Sequence, residues 1–165
     1  MNTELMFSSK SDERETPKDL YDELNTKYNF VLDAAATKEN ALCPLFFTKE
    51  DDALVKDWSP LLSNSCSSPS YWNIWLNPPY SQLGVWIEKA YNEAKKGCIV
   101  VMLIPARTDT RAFHQYIYPY SGIEYERPAE GVQAYLRFLK GRLRFSGSKN
   151  SAPFSSMLVT FSNSL

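Results

Sequence analysis

Ile74-Trp75-Leu76-Asn77-Pro78-Pro79-Tyr80 is the stretch on which the reading of this chain turns. The run Trp72-Asn73-Ile74-Trp75-Leu76 is short, mostly apolar and rich in β-forming residues, and two prolines follow it at once. That pattern predicts a buried strand ending in a loop. Proline fixes φ and carries no N–H, so Pro78 and Pro79 remove two backbone donors at the strand's end. The carbonyls there are left to accept bonds from outside, Asn77 adds a side-chain carbonyl, and Tyr80 adds a flat face for stacking. Together these groups suit a planar ring carrying an exocyclic NH₂. The competing reading is a Pro-Pro turn with a surface tyrosine. The strand before and the helix after favour the functional reading, since open α/β sheets bind ligands beyond the carboxyl ends of their strands.

Working outward, residues 84–96 show helical spacing at Val85, Trp86, Ala90 and Ala94, and Gly97 closes the helix. Cys98 to Ile104 is an unbroken apolar run ended by Pro105, as expected of a central parallel strand buried on both faces. A further helix is expected over 109–118. After Gly122 the pattern turns β-like, at 123–126, 134–145 and 156–161. Upstream, the Ser/Pro-rich segment 59–71 reads as a loop, 51–58 as a short helix or strand-loop, and 38–50 as irregular. Phe30-Val31-Leu32 predicts a strand leading into the loop Asp33-Ala34-Ala35-Ala36-Thr37. A helix is expected from Thr16 as N-cap and Pro17 as first helical residue to about Lys27, with Leu20 and Leu24 on one face. Residues 1–14 are polar and expected to be flexible. No repeat or linker interrupts the order, so 1–165 reads as a single α/β domain with no separate target-recognition domain.

The chain has 165 residues, 44% hydrophobic and 22% charged, the balance of a globular protein. No apolar run approaches the ~18 residues of a membrane span, and the first residues lack a signal-peptide apolar block. Cys43, Cys66 and Cys98 are odd in number and widely spaced. They fit neither a disulfide framework nor a zinc cluster, so no metal and a reducing cytoplasm are expected. The net charge of -1 hides an asymmetry: residues 1–84 carry -6 and residues 85–165 carry +5. The basic half can face a polyanion and the acidic half a small or cationic ligand; chance and solvated faces explain the same numbers.

Asn77-Pro78-Pro79-Tyr80 resembles the catalytic motif of amino-methyltransferases. More narrowly, the chain is similar to the small phage and prophage DNA N-6-adenine methyltransferases. The segments 15–25, 32–54, 75–91, 104–114, 137–145 and 151–161 carry the likeness in the family's order. The resemblance implies a Rossmann-like, S-adenosylmethionine-dependent methyltransferase fold, with a mainly parallel sheet and an antiparallel C-terminal hairpin. It implies catalytic roles for Asn77, Pro78, Pro79 and Tyr80. It also implies cofactor contacts at Thr16 and Pro17, at Asp33, Ala34 and Ala35, and at Asp51 and Asp52. Most such enzymes place glycines in the first cofactor loop, where backbone approaches the ligand; here the first glycine is Gly84 and the loop is alanine-rich. A strand-end cap is the other reading of Asp33.

On this resemblance the substrate is double-stranded DNA in a bacterial host cytoplasm. An adenine leaves the duplex, its amino group meets the Asn77 oxygen and the Pro78 carbonyl, and Tyr80 stacks on the ring. Arg107, Arg111, Lys140, Arg142 and Arg144 are candidates for phosphate contacts. Alternation places Arg142 and Arg144 on one strand face, which a solvated face also explains. His114 need not be catalytic. An RNA adenine, a protein glutamine amide, or a catalytically silent DNA-binding module of the same fold are the alternatives.

Overall fold

The most apolar run of the chain becomes the centre of the fold. In the computed structural model, which describes residues 14–59, 72–119 and 131–163, Cys98–Pro105 forms strand β4 with all eight residues buried. Before it come α1 (Lys18–Tyr28), β1 (Leu32–Asp33), β2 (Leu45–Phe46), β3 (Trp72–Leu76) and α2 (Leu83–Lys95). After it come a π-helical turn (Phe113–Ile117), β5 (Gln133–Phe138) and β6 (Ser156–Ser162). The six strands make one sheet in the order β2-β1-β3-β4-β6-β5. β1 runs parallel to β2 and β3, and β3 parallel to β4. β6 lies antiparallel to both β4 and β5. The expected mainly parallel sheet with an antiparallel C-terminal hairpin is present.

Alternation along the strands divides the core in two. On one face Ile74, Leu76, Val100, Met102, Ile104 and Val159 meet Trp86, Ile87, Ala90 and Ala94 of α2. On the other, Trp75, Val101, Leu103 and Leu158 meet Leu20, Tyr21 and Leu24 of α1. Tyr21 sets the tilt of α1, edge-on to Trp75 at 5.7 Å and against Phe30 at 5.6 Å. Gly97 closes α2 at φ 101°, a conformation that a Cβ would strain.

Several local expectations are corrected. Pro17, not Thr16, is the N-cap of α1, and no side chain caps that helix. The helix runs one residue past Lys27 and stops where Asn29 takes φ 51° and the Asn25 side chain accepts the Phe30 N–H at 2.8 Å. The first strand begins at Leu32, because Phe30 turns into the core beside α1. The segment 38–50 contains β2, whose two residues are too few to display a period. Residues 49–51 form a single 3₁₀ turn, and the helix expected over 109–118 is centred on a five-residue π-helical turn. The strand expected through 145 ends at Phe138; Gly141 at φ 75° turns the chain, and Phe145 then drops into the α1-side core. Arg142 and Arg144 therefore sit in irregular exposed chain, not on a strand face. Of the loop expected over 59–71 all but Ser59, of the flexible segment expected over 1–14 all but Arg14, and the whole strand expected over 123–126 lie outside the described residues.

Candidate active site

From the centre of the sheet, β2 lies outward beyond β1 while β4 lies outward beyond β3. Connections leave β1 and β3 in opposite directions, so the strand order reverses between them, and in open α/β sheets ligands bind beyond the carboxyl ends at such a point. The Ala34 N–H donates to the Trp75 carbonyl at 3.0 Å, and the Phe47 N–H to the Asp33 carbonyl at 2.9 Å. The ends of β1, β2 and β3 are thereby laced side by side. Asn77 is the first residue past β3 and stands at this switch point.

Three neighbours hold the half-buried Asn77. Its Nδ2 donates to the Arg14 carbonyl at 2.5 Å and to Thr16 Oγ1 at 3.1 Å. Its Oδ1 accepts the Tyr80 hydroxyl at 3.2 Å. A main-chain carbonyl can only accept, so the NH₂ end must face Arg14 and the oxygen must face the other way. An amide oxygen has two lone pairs, and Tyr80 occupies one direction. The same hydroxyl lies 3.4 Å from the Leu103 carbonyl.

Tyr80 itself departs from the expectation of an open stacking face. It is 7% exposed, with Phe154 edge-on at 5.7 Å and Phe145 at 6.4 Å. The Arg14 guanidinium covers the same group, 5.0 Å from the Phe154 ring and 5.6 Å from Phe145. Burial pushes the Tyr80 hydroxyl above its ordinary pKa, against the opposing pull of Arg14 and Arg107. An incoming ring reaches the Tyr80 face only after these neighbours shift. Arg14, Phe145 and Phe154 were not singled out from sequence; nothing in their spacing reveals that they converge on a turn some 65 residues away in the chain.

The residues expected at the cofactor fall into two groups. Thr16 is brought to Asn77 and Pro17 follows it as the N-cap of α1, while Ala34 and Ala35 follow β1 beside the end of β3, with Ala34 fully buried. The carboxylates of Asp33 and Asp51 hold their own loops. Asp33, 3% exposed, accepts the Leu42 N–H at 3.1 Å and the Ala35 N–H at 3.4 Å. Burial outweighs those two bonds and lifts its pKa to about 6. Asp51 accepts the N–H of Thr48 at 2.8 Å and its hydroxyl at 3.0 Å, which keeps its carboxyl below the usual range. Asp52 is exposed at φ 52° on the same turn.

That acidic turn is anchored from behind. Glu93 of α2 has a fully buried side chain and accepts Lys89 at 2.6 Å, Lys96 at 3.1 Å and the Trp58 N–H at 3.2 Å. Lys89 also donates to the Lys56 carbonyl, and Trp58 Nε1 to the Ala53 carbonyl at 2.9 Å. Segment 53–58 is thereby pinned to α2 just beyond Asp51 and Asp52.

The candidate phosphate-binding residues gather on the opposite flank. β5 runs in the same direction as β4, so Phe138 and Pro105 finish at the same edge of the sheet. Arg107 and Arg111 leave that edge after β4, and Lys140, Arg142 and Arg144 leave it after β5; all five are exposed. The Arg144 Nε donates to the Ser148 carbonyl at 3.0 Å. His114 is exposed and lies 2.7 Å from the Thr108 carbonyl, apart from the Asn77 cluster.

A six-stranded sheet, parallel except for its C-terminal hairpin, with Asn-Pro-Pro-Tyr at the switch point, has the Rossmann-like methyltransferase architecture. The model of the family DNA N-6-adenine-methyltransferase (Dam) matches residues 4–161, and the chain belongs to that family. It is 32% identical over 99 residues to the DNA N-6-adenine-methyltransferase of Escherichia phage T1, covering 59% of this chain and 37% of that protein. It is 36% identical over 70 residues to the putative methyltransferase YfdM of Escherichia coli K12, covering 42% of this chain and 71% of that protein. The match therefore spans little more than a third of the phage protein's length.

Proposed function

We propose that this chain transfers a methyl group from S-adenosylmethionine to the N6 amino group of adenine in double-stranded DNA, in the cytoplasm of a bacterial host cell. The observation that carries the reading is the fixed amide of Asn77 at the switch point, in a chain of this family. An adenine amino group is a weak nucleophile because its lone pair is delocalised into the ring. Asn77 Oδ1 and the Pro78 carbonyl each accept one of its N–H bonds. That stabilises the positive charge developing on nitrogen without removing a proton first. When bound, S-adenosylmethionine supplies an electrophilic methyl group on a sulfonium. In-line transfer to the adenine nitrogen would break the methyl–sulfur bond, leave the sulfonium as a neutral thioether, and give a cation that would lose its proton to solvent, so no strong general base is required. Alignment of the two reactants is the protein's main contribution, and in well-oriented systems it lowers barriers by about 7–11 kcal/mol.

The residues present fit that cofactor. Ala34 to Ala36 line the first loop with the smallest side chains short of glycine, and the exposed Asp52 stands on the turn beyond β2. Thr16 accepts from the NH₂ end of Asn77, on the side away from the oxygen that would meet the substrate, so its contribution would pass through that amide. The carboxylate of Asp33, turned to Leu42 and Ala35, supports the loop, so its contribution passes through Ala34 and Ala35. The target adenine must leave the duplex to reach Asn77. It would reach Tyr80 once Phe154 and Arg14 shift aside, and Arg107, Arg111, Lys140, Arg142 and Arg144 would hold the flanking phosphates. Among the described residues no helix is long and apolar enough to cross a membrane.

The test is nucleoside mass spectrometry of plasmid DNA from an adenine-methylation-deficient host expressing the chain or its Asn77→Ala variant. N6-methyladenine with the first and a ~10²–10³-fold lower rate with the second are expected, as for loss of one transition-state contact. Unmodified DNA alongside methylated RNA or methylated glutamine moves the substrate to those classes. Unmodified DNA, RNA and protein, with DNA binding retained, identifies a silent module.

A further inference from the structure

Thr16 touches Asn77, and nothing in the local sequence required it to. We infer that Thr16 is a positioning residue for methyl transfer: the Arg14 carbonyl sets which end of the Asn77 amide meets the substrate, and the Thr16 hydroxyl, taking the second amide N–H, holds that amide in place. This rests on the activity proposed above. The two ends of an asparagine amide have nearly the same shape and opposite chemistry. Only the oxygen can accept an amino N–H; the NH₂ end presented in its place would repel it. The Arg14 carbonyl at 2.5 Å decides the matter here because it can only accept, and Thr16 Oγ1 at 3.1 Å takes the second N–H and limits the amide's swing; both lie on the strap that leads into α1.

The strap is itself fixed from the far side. Ser146 N–H donates to the Glu15 carbonyl at 3.0 Å, and the Ser146 hydroxyl to the Thr16 carbonyl at 3.1 Å. The Arg14 guanidinium lies over Phe154 and Phe145. Thr16 is 8% exposed, so its hydroxyl is committed to this neighbourhood. Residues 14–16 thus tie the 145–154 loop to the end of β3. Without the hydroxyl, the NH₂ keeps one acceptor and the amide gains room to swing. A misplacement of about 1 Å in a reacting geometry can cost ~10²-fold in rate, and a partial loosening should cost less.

The experiment uses the full chain, S-adenosylmethionine and adenine-unmethylated plasmid DNA, with Thr16→Val, Thr16→Ala and Thr16→Ser. Valine keeps the shape and removes the acceptor; serine keeps the acceptor; alanine serves if valine does not fold. The expected result is a single-turnover rate about tenfold lower in Thr16→Val or Thr16→Ala, restored in Thr16→Ser, with affinities for S-adenosylmethionine and DNA within about twofold of the parent. An unchanged rate with a tenfold weaker S-adenosylmethionine affinity overturns the inference and makes Thr16 a cofactor contact. A rate and affinities all equal to the parent's overturn it as well. A parent chain inactive on DNA refutes the activity itself, which separates that failure from this one.

Discussion

Asp33 carries a proton-linkage consequence that can be measured. Its carboxyl is 3% exposed, and burial lifts its pKa from 3.8 to about 6 despite the N–H bonds of Leu42 and Ala35. In the unfolded chain the group loses its proton near pH 4; in the fold it keeps it to about pH 6. Between those values the native state binds more protons, so stability falls as pH rises. The contribution is fully present below pH 4 and lost through pH 6. Two units correspond to about 3 kcal/mol, of which about 2 kcal/mol falls above pH 4.5. Asp33→Asn removes the titration while keeping one oxygen to accept an N–H. Urea denaturation of parent and variant from pH 4.5 to 8 gives the difference, in which every other carboxylate cancels. Asp33→Asn should gain about 2 kcal/mol relative to the parent across that range. Parallel stability curves would refute the reasoning and place the Asp33 carboxylate in contact with solvent or a cation.

Glu93→Gln should destabilise the fold by about 3 kcal/mol or more, since it leaves the Lys89 ammonium, 14% exposed, without its counter-charge; a loss under 1 kcal/mol in chemical denaturation would contradict this. Tyr80→Ala should cost roughly 3–5 kcal/mol of stability, as for a large aromatic removed from a core, along with turnover, because the ring is buried under Phe145 and Phe154. If Tyr80→Ala melts like the parent, the ring is not part of the core. Replacing Arg142 and Arg144 together should flatten the log–log salt dependence of DNA affinity by up to about 2, at ~0.9 per phosphate contact. An unchanged slope means that the two arginines face solvent in the complex.

The local order along the chain came from the sequence alone. The seven-residue apolar run before Pro105 can only be a strand covered on both faces, and it is the fully buried β4. The end of β3 was legible for a similarly local reason: two prolines cannot continue a ladder, so the strand stops at Leu76 and the proposed site, Asn77-Pro78-Pro79-Tyr80, lies just beyond it. β2 escaped, because two residues are too few to show a period, while the helix expected over 109–118 is present but shorter and takes π-helical form at Phe113–Ile117. What only the tertiary structure decided is who meets Asn77. Thr16 reads locally as a helix cap, yet its hydroxyl goes to an amide 61 positions away. Tyr80 reads as a surface platform, yet Phe145 and Phe154 close over it. Arg142 and Arg144 read as one strand face, yet β5 ends at Phe138 and Gly141 turns the chain before them. Periodicity and turn chemistry act over a few residues and so are written in the local sequence. Which loops meet beyond the strand ends depends on strand order and the reversal between β1 and β3, and these are set by packing of the whole sheet.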